Sequence, residues 1–418
     1  MTSAGPRQDL RTTSASPLRY ARVMIDSPLL KSLIAQELPS LVALRRDLHA
    51  HPELGLEEHR TSKVIARELT QANVSFCAQV AGGTGVLGHI PGTATHALAL
   101  RADIDALPIT EETGLVYAST TPGVMHACGH DGHTTILIGT ARVLAKLAAQ
   151  STLPRPVTLV FQPAEENLGG ASRMIADGCL TGRIGPAVSE IYGLHAWPWL
   201  PLHSVGVRTG PILASTDSFS IHVRGRGSHA AWPHLSHDPV VALASIVTAA
   251  QTIVSRTVDP THAVVVSICI VNAGTAFNVI AQDALLQGTL RTLDRSDRTD
   301  AIARLHQIAT HAAQMHQCEA TVDFRTGCPA TVNDAVATDH VRAAVRAVEG
   351  AALVELPVPF MGGEDFASYG EVVPASFFLL GMHADGAPPV QPLHHPSFDF
   401  NDDAIGVGIE AMCRIALR

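Results

Sequence analysis

The chain has 418 residues, 46% of them hydrophobic and 16% charged, and a formal net charge of −9. That is too long for one ordinary core and too apolar for a disordered chain, so a packed protein of two domains is expected. No Lys/Arg run is present, which argues against a nucleic-acid partner; seven scattered Cys without a CxxC pair argue against a disulfide framework and for a reducing compartment.

Residues 1–25 carry no apolar core of signal-peptide length and read as a flexible tail. Leucines and Ile34 recur at helical spacing over 28–49, predicting a first helix that Pro39 kinks or splits. "HPELGLEEHRTS" breaks it, and a second helix follows with Thr61 or Ser62 as its cap. Short apolar runs at 96–101, 157–162, 190–194 and 376–381 read as buried strands, with helical patterns such as 134–150 between them. Strands alternating with helices predict an α/β fold with a mainly parallel sheet.

Residues 215–328 break that pattern. Strand, helix, two strands, helix and strand succeed one another, the β-α-β-β-α-β order of a ferredoxin-like α+β unit. The expected architecture is therefore a catalytic domain in two parts, 26–214 and 329–418, interrupted by an inserted domain at 215–328. The longest apolar stretch, 239–254, is interrupted by Ser, Thr and Gln and falls short of a membrane span. A soluble, cytoplasmic protein without a membrane partner is the expectation.

In open α/β sheets, ligands bind beyond the carboxyl ends of the strands. Asp103 and Asp105 follow the first predicted strand, Glu165 and Glu166 the second, and His195 the third. "HACGHDGH" precedes a helix, and "LHHPSFDFND" follows a Pro-rich loop at 386–392. The metal-competent side chains thus fall on one rim. Cys128 and His130 would share a face in an extended segment, and a helix starting just beyond would favour the thiolate that binds metal. The alternative is an inert buried Cys beside a surface His.

Of Glu165 and Glu166, one can hold a metal while the other takes a proton from water; spacing does not say which. His195 alone could be structural, and His394 and His395 compete for one role. Asp105 can orient a ligand imidazole or merely cap a turn. In the inserted segment, His229 sits on a Gly-rich loop, with Asn278 and Arg291 further on. Each has an ordinary structural reading, and His234, Asp217 and Arg226 are left as structural or surface residues.

Ten stretches appear in a single family's order. They are "RRDLHAHPELGLEEHRTS", "LRADIDALPI", "HACGHDGHTT", "FQPAEE", "GLHAWP", "GRGSHAAWPH", "FNVI", "GTLRT", "GGEDFA" and "LHHPSFDFND". Over about residues 28–418 the chain resembles the hippurate hydrolase / N-acyl-amino-acid amidohydrolase group of dinuclear metallopeptidases, which includes auxin-conjugate hydrolases. The resemblance implies two divalent ions, Zn, Mn or Co, held by Cys128, His130, Glu166, His195 and His394. It implies Glu165 as general base, while Asp105 is favoured from its position alone as the carboxylate orienting a ligand imidazole. It further implies that His229, supplied by a partner subunit through a lid and dimerisation domain, polarises the scissile carbonyl. Asn278 and Arg291 would hold an N-acyl amino acid, Arg291 facing its carboxylate, in a homodimer or larger assembly. Ala281 where Pro is common and Asp403 where Glu is common are the departures. Two rivals remain: a thiol hydrolase with Cys128 as nucleophile and His130 as base, and a silent scaffold.

Overall fold

The computed structural model describes residues 27–388 and 391–418. The expected tail 1–25 lies outside the described residues, as does part of the loop at 386–392. One helix, Ser27–Ala50, buries Leu30, Leu33, Ile34, Leu41, Leu44 and Leu48. Pro39 lies inside it without splitting it. Both halves pack on the helices His130–Gln150 and Ile405–Ala416, which offsets the hydrogen bond that Pro removes.

The second helix starts at His59, ahead of the expected cap. The carboxylate of Glu53 accepts hydrogen bonds from Arg60 N and Thr61 N, both at 2.8 Å, so the preceding loop supplies the cap. Thr61 and Ser62 are instead buried within the first turn.

Eight strands form the large sheet, in the order Ser75–Val80, Gly85–Ile90, Val157–Gln162, Ala97–Asp103, Val188–Pro201, Ala375–His383, Ser204–Val207, Ala352–Glu355. The four central strands are mutually parallel. Every residue of Ala97–Asp103 and Val157–Gln162 is buried, because helices or loops cover both faces of the sheet.

The third predicted strand is longer than 190–194 and runs from Val188 to Pro201, so His195 lies within it and not after it. The pairing of Arg101 with Gly193 nevertheless brings His195 level with Asp103, at the rim where the neighbouring strand ends. The strand simply overshoots the sheet.

Residues 217–326 form a second, four-stranded antiparallel sheet in the order Val264–Ala273, Asp283–Thr292, Asp217–Arg224, Glu319–Thr326. Alternation along Asp217–Arg224 sends Phe219, Ile221 and Val223 to one face, where the helices Pro239–Thr252 and Arg295–Met315 cover them. The first of these helices continues through a π turn, Ile253–Thr257. Among the described residues, Pro239–Thr257 is thus long and apolar enough to cross a membrane by length and composition, which corrects the shorter estimate from sequence. Its Ala242, Leu243, Ile246 and Ala250 face the core of this unit.

Candidate metal centre

The "HACGHDGH" stretch is a turn, not an extended segment. Gly129 takes φ +84°, which favours a residue without Cβ, and the helix begins at His130. The bend places Cys128 and His130 on the same rim by a different route from the one expected. The Cys128 Sγ lies 3.4 Å from His195 Nε2. His195 Nδ1 is 2.7 Å from the Ala196 carbonyl, so it carries the proton and Nε2 keeps a lone pair.

Glu165 and Glu166 open a four-residue helix, Glu165–Leu168, behind Ala164 in a left-handed conformation of φ +56°. Glu166 N donates to Asp105 Oδ2 at 3.0 Å, and His394 Nε2 lies 3.1 Å from Glu166 Oε1. That last contact lacks hydrogen-bond alignment, and Glu166 Oε1 has no hydrogen-bond partner. His394 is held at φ +65°, with its N–H donating to the Ala127 carbonyl at 2.8 Å. His395 instead accepts from Ser397 N at 3.1 Å.

His130 Nδ1 is 2.9 Å from the Asp105 carbonyl, and its Nε2 is buried without a partner. Asp105 thus meets this imidazole mainly through its backbone carbonyl, where its carboxylate was expected. His133 is spent differently. Its Nδ1 meets Asp103 Oδ1 at 2.7 Å and its Nε2 accepts from Ala196 N at 2.8 Å, leaving no lone pair for an ion.

Donor atoms of Cys128, Glu166 and His394 lie within 4.8 Å of one another, as do those of His130, Glu165 and Glu166. The donors that the sequence singled out therefore meet in two overlapping groups that share Glu166, with His195 against Cys128. The orphaned, buried His130 Nε2 and Glu166 Oε1 are the atoms that cations would take up.

The electrostatics agree. Burial, followed by the charges of Glu364, Glu166 and Asp365, pushes the Glu165 carboxyl well above the usual carboxylate range. Burial and then Glu166 and Glu165 push the Cys128 thiol well up, so the helix start does not yield the free thiolate expected from sequence. Burial opposes charge on His130, yet Asp103 and Asp105 outweigh it and push its pKa up to about 10. Glu166, in contrast, is held below the usual carboxylate range despite its burial, by His394 and His130, so it is the acid of the pair that already bears charge.

These facts also weigh against the thiol rival. A nucleophilic Cys needs a depressed pKa and a base in contact. Cys128 has a raised one, and its imidazole neighbour is His195, not His130.

Sequence reasoning missed the support beneath the carboxylates. Arg101, fully buried, reaches Asp103 at 2.7 Å, Gln162 and Glu364 at 2.9 Å, and Asp365 at 3.2 Å. Asp365 N in turn donates to Glu165 Oε1 at 3.2 Å. Its members lie in three of the quoted stretches, "LRADIDALPI", "FQPAEE" and "GGEDFA", whose meeting only the fold reveals.

A cavity of about 980 Å³ opens from Cys128, Glu165, Glu166, His195 and His394 toward the four-stranded sheet. Trp197 and Phe360, with ring centroids 4.5 Å apart, form one wall, and Arg291 lies on the wall formed by the sheet. Arg291 Nη1 donates to the carbonyls of Asp217 and Leu290. Asp217 is itself neutralised by Arg298, as fits a structural residue. His229 and Asn278 do not line this cavity. His229 belongs to an exposed two-residue strand, Ser228–His229, paired with Val279–Ile280 and followed by the 3-10 turn Pro233–Leu235, where a loop entering a helix was expected.

A parallel-centred α/β sheet with thiol, imidazole and carboxylate donors at its rim defines a peptidase-type hydrolase. The chain belongs to Peptidase family M20/M25/M40, whose family model matches residues 99–418. It is 39% identical over 366 residues to N-acetyl-L-cysteine deacetylase of Bacillus subtilis, covering 87% of this chain and 84% of that one. It is 37% identical over 385 residues to IAA-amino acid hydrolase ILR1-like 4 of Arabidopsis thaliana, covering 90% and 85%. Among solved structures, an aminohydrolase from methicillin-resistant Staphylococcus aureus superposes with a TM-score of 0.86 at 32% identity, covering 93% of this chain and 98% of that one. The Bacillus subtilis YXEP protein, a dinuclear metal-binding peptidase of the M20 family, gives 0.79 at 34% identity, with the same coverage.

Proposed function

We propose that this hydrolase cleaves the amide bond of N-acyl amino acids, releasing a carboxylic acid and a free amino acid. The observation that carries the reading is the meeting of Cys128, His130, Glu166, His195 and His394 around unpaired lone pairs, with the Glu165 carboxyl beside them. Those five residues would hold two divalent ions. Such ions, when bound, acidify water and polarise the amide carbonyl.

The chain's own residues do the rest. Glu165 accepts a proton from the attacking water and returns it to the leaving nitrogen. Glu166 stays with the ions, as its contact with His394 suggests. Arg291 offers a guanidinium fork to the substrate carboxylate, and Trp197 and Phe360 offer an apolar wall to the acyl group.

Residues 215–328 act in this reading as lid and dimerisation unit. The edge strand Val264–Ala273 exposes Val265, Ile270 and Val271, and Phe277 and Val279 are exposed beyond it. An apolar edge of this kind calls for a covering partner. A second copy would also supply His229 and Asn278, which stand away from their own cavity, to polarise the carbonyl and hold substrate.

The test is a panel of N-acyl amino acids and matched amides lacking the carboxylate, assayed with chelator-stripped enzyme and after adding Zn²⁺, Mn²⁺ or Co²⁺. Turnover only with added ion, and only of the carboxylates, is expected. Full activity in metal-free protein would sink the reading.

A further inference from the structure

The stretch "HPELGLEE" enters the sequence reading as a helix breaker and as part of the first family stretch, with no role given to its acids. In the structure it lies against the turn that carries Glu165 and Glu166. Leu54 forms a parallel bridge with Ala106, and the Glu53 carbonyl accepts from Ala106 N at 2.8 Å. A Cβ on Gly55 would come within 3.1 Å of Ala164 Cα, so a side chain there would press on the turn.

Glu58 ends that loop and is fully buried. Its Oε1 accepts from Ala164 N at 2.9 Å and its Oε2 from Thr84 Oγ1 at 2.7 Å. Ala164 is the left-handed residue immediately before Glu165, at φ +56°. That conformation is strained for a residue with a Cβ, and it persists only where surroundings over-determine it. Two contacts do so here: Glu58 takes the Ala164 N–H, and Gly170 N donates to the Ala164 carbonyl at 3.0 Å. Burial, with the charge of Asp105 adding to it, pushes the Glu58 pKa up to about 7. An acid kept in such a place without a cation opposite it is costly to retain, which argues that its oxygens have a task.

We propose that Glu58 is a positioning residue for hydrolysis: by holding the Ala164 N–H it fixes the strained turn that aims Glu165 at the attacking water while Glu166 faces His394. It is not itself one of the clustered donors, nor does it line the cavity. The inference rests on the reading of Glu165 as base.

The experiment compares metal-loaded wild type, Glu58→Gln, Glu58→Asp, Glu58→Ala, Glu58→Ala with Ala164→Gly, and Glu165→Gln. The readouts are kcat, KM and bound metal per chain. Gln keeps the acceptor oxygen at the same reach and is expected within about threefold of wild-type kcat. Asp keeps the charge but withdraws the oxygen, and Ala removes it. Both are expected to lose roughly 10- to 100-fold in kcat with KM and metal content unchanged, the scale of a misplacement near 1 Å. Adding Ala164→Gly, which accepts the left-handed turn unaided, is expected to recover part of the loss. Wild-type kcat in Glu58→Asp, or activity lost only in step with bound metal, overturns the proposal. Should Glu58→Ala not fold, the ranking of Gln above Asp still decides. Normal turnover by Glu165→Gln would instead remove the base reading itself, whatever the Glu58 variants do.

Discussion

The Sγ of Cys128 lies 3.4 Å from Nε2 of His195, although 67 residues separate them in sequence. One comes from a glycine turn at a helix start, the other from a strand that overshoots the sheet. Neither atom has reason to sit there in an apolar core, since the thiol is a poor hydrogen-bond donor and the imidazole is held neutral by burial and by His133. In the proposed function a cation supplies the reason. Cys128→Ser keeps the shape and removes the soft ligand, so metal retention is expected to weaken roughly 10- to 100-fold, with activity restored in part by excess ion. Metal analysis after dialysis checks it; unchanged retention would place Cys128 outside the ion shell.

The rim was legible because its parts are local: a buried strand followed by an acid, twice over, then a His. What was not legible depends on backbone conformation or distant pairing. Gly129 at positive φ turns an expected extended segment into a bend. Inter-strand register, not strand length, brings His195 to the rim. Glu58 gives no signal because its partner is a backbone N–H 106 residues away. His229 and Asn278 remain unassembled because one chain folds without bringing them to its own cavity. The ferredoxin-like element order at 217–326 was readable, since the strands Asp217–Arg224, Asp283–Thr292 and Glu319–Thr326 alternate and long helical stretches separate them.

Glu165 carries the proton in the proposed chemistry, and Gln cannot. Glu165→Gln is expected to lower kcat by about 10²- to 10⁴-fold, with KM and bound metal nearly unchanged. The metal-free protein should respond in the opposite sense. Burial and the neighbouring Glu364 and Glu166 disfavour charge on this carboxyl, so its protonated form stabilises the fold at low pH and that contribution is lost as pH rises. Removing the acid should therefore make the metal-free variant more stable than wild type, increasingly so above the ordinary carboxylate range. Thermal melts from pH 5 to 9 measure it.

Arg101 has no exposed surface and joins Asp103, Glu364 and Asp365, three carboxylates that are themselves buried. Without the guanidinium, Asp365 loses one of the contacts that hold its backbone N–H against Glu165. Arg101→Met should cost about 3–5 kcal/mol, the penalty for leaving buried charges unpaired. Arg101→Lys should fall between the two, because one ammonium cannot reproduce a planar fork to three acids and Gln162. Urea denaturation of the three proteins gives the ranking, and a Met variant as stable as wild type would show that the acids are already protonated.

His49 lies in a second buried network behind the site, with its Nδ1 2.8 Å from Asp131 and its Nε2 3.3 Å from Glu111. Arg45, the edge of the Tyr117 ring and the buried His126 also face it. Burial alone would lower its pKa and Arg45 would add to that, but the two carboxylates win and push it up to about 9 from an ordinary 6.5. The folded protein thus holds this proton more tightly than the unfolded chain. The resulting stability is complete below pH 6.5, declines as pH rises through 9, and amounts to something on the order of 3 kcal/mol. Asp131 reports the same interaction from its other side and adds nothing further. In His49→Gln, which can still donate one hydrogen bond, that pH-dependent part is absent. The stability gap between wild type and variant should therefore be widest near pH 6 and shrink toward pH 10. A gap that stays constant across this range would mean that His49 is neutral in the fold and that Arg45 alone balances Asp131.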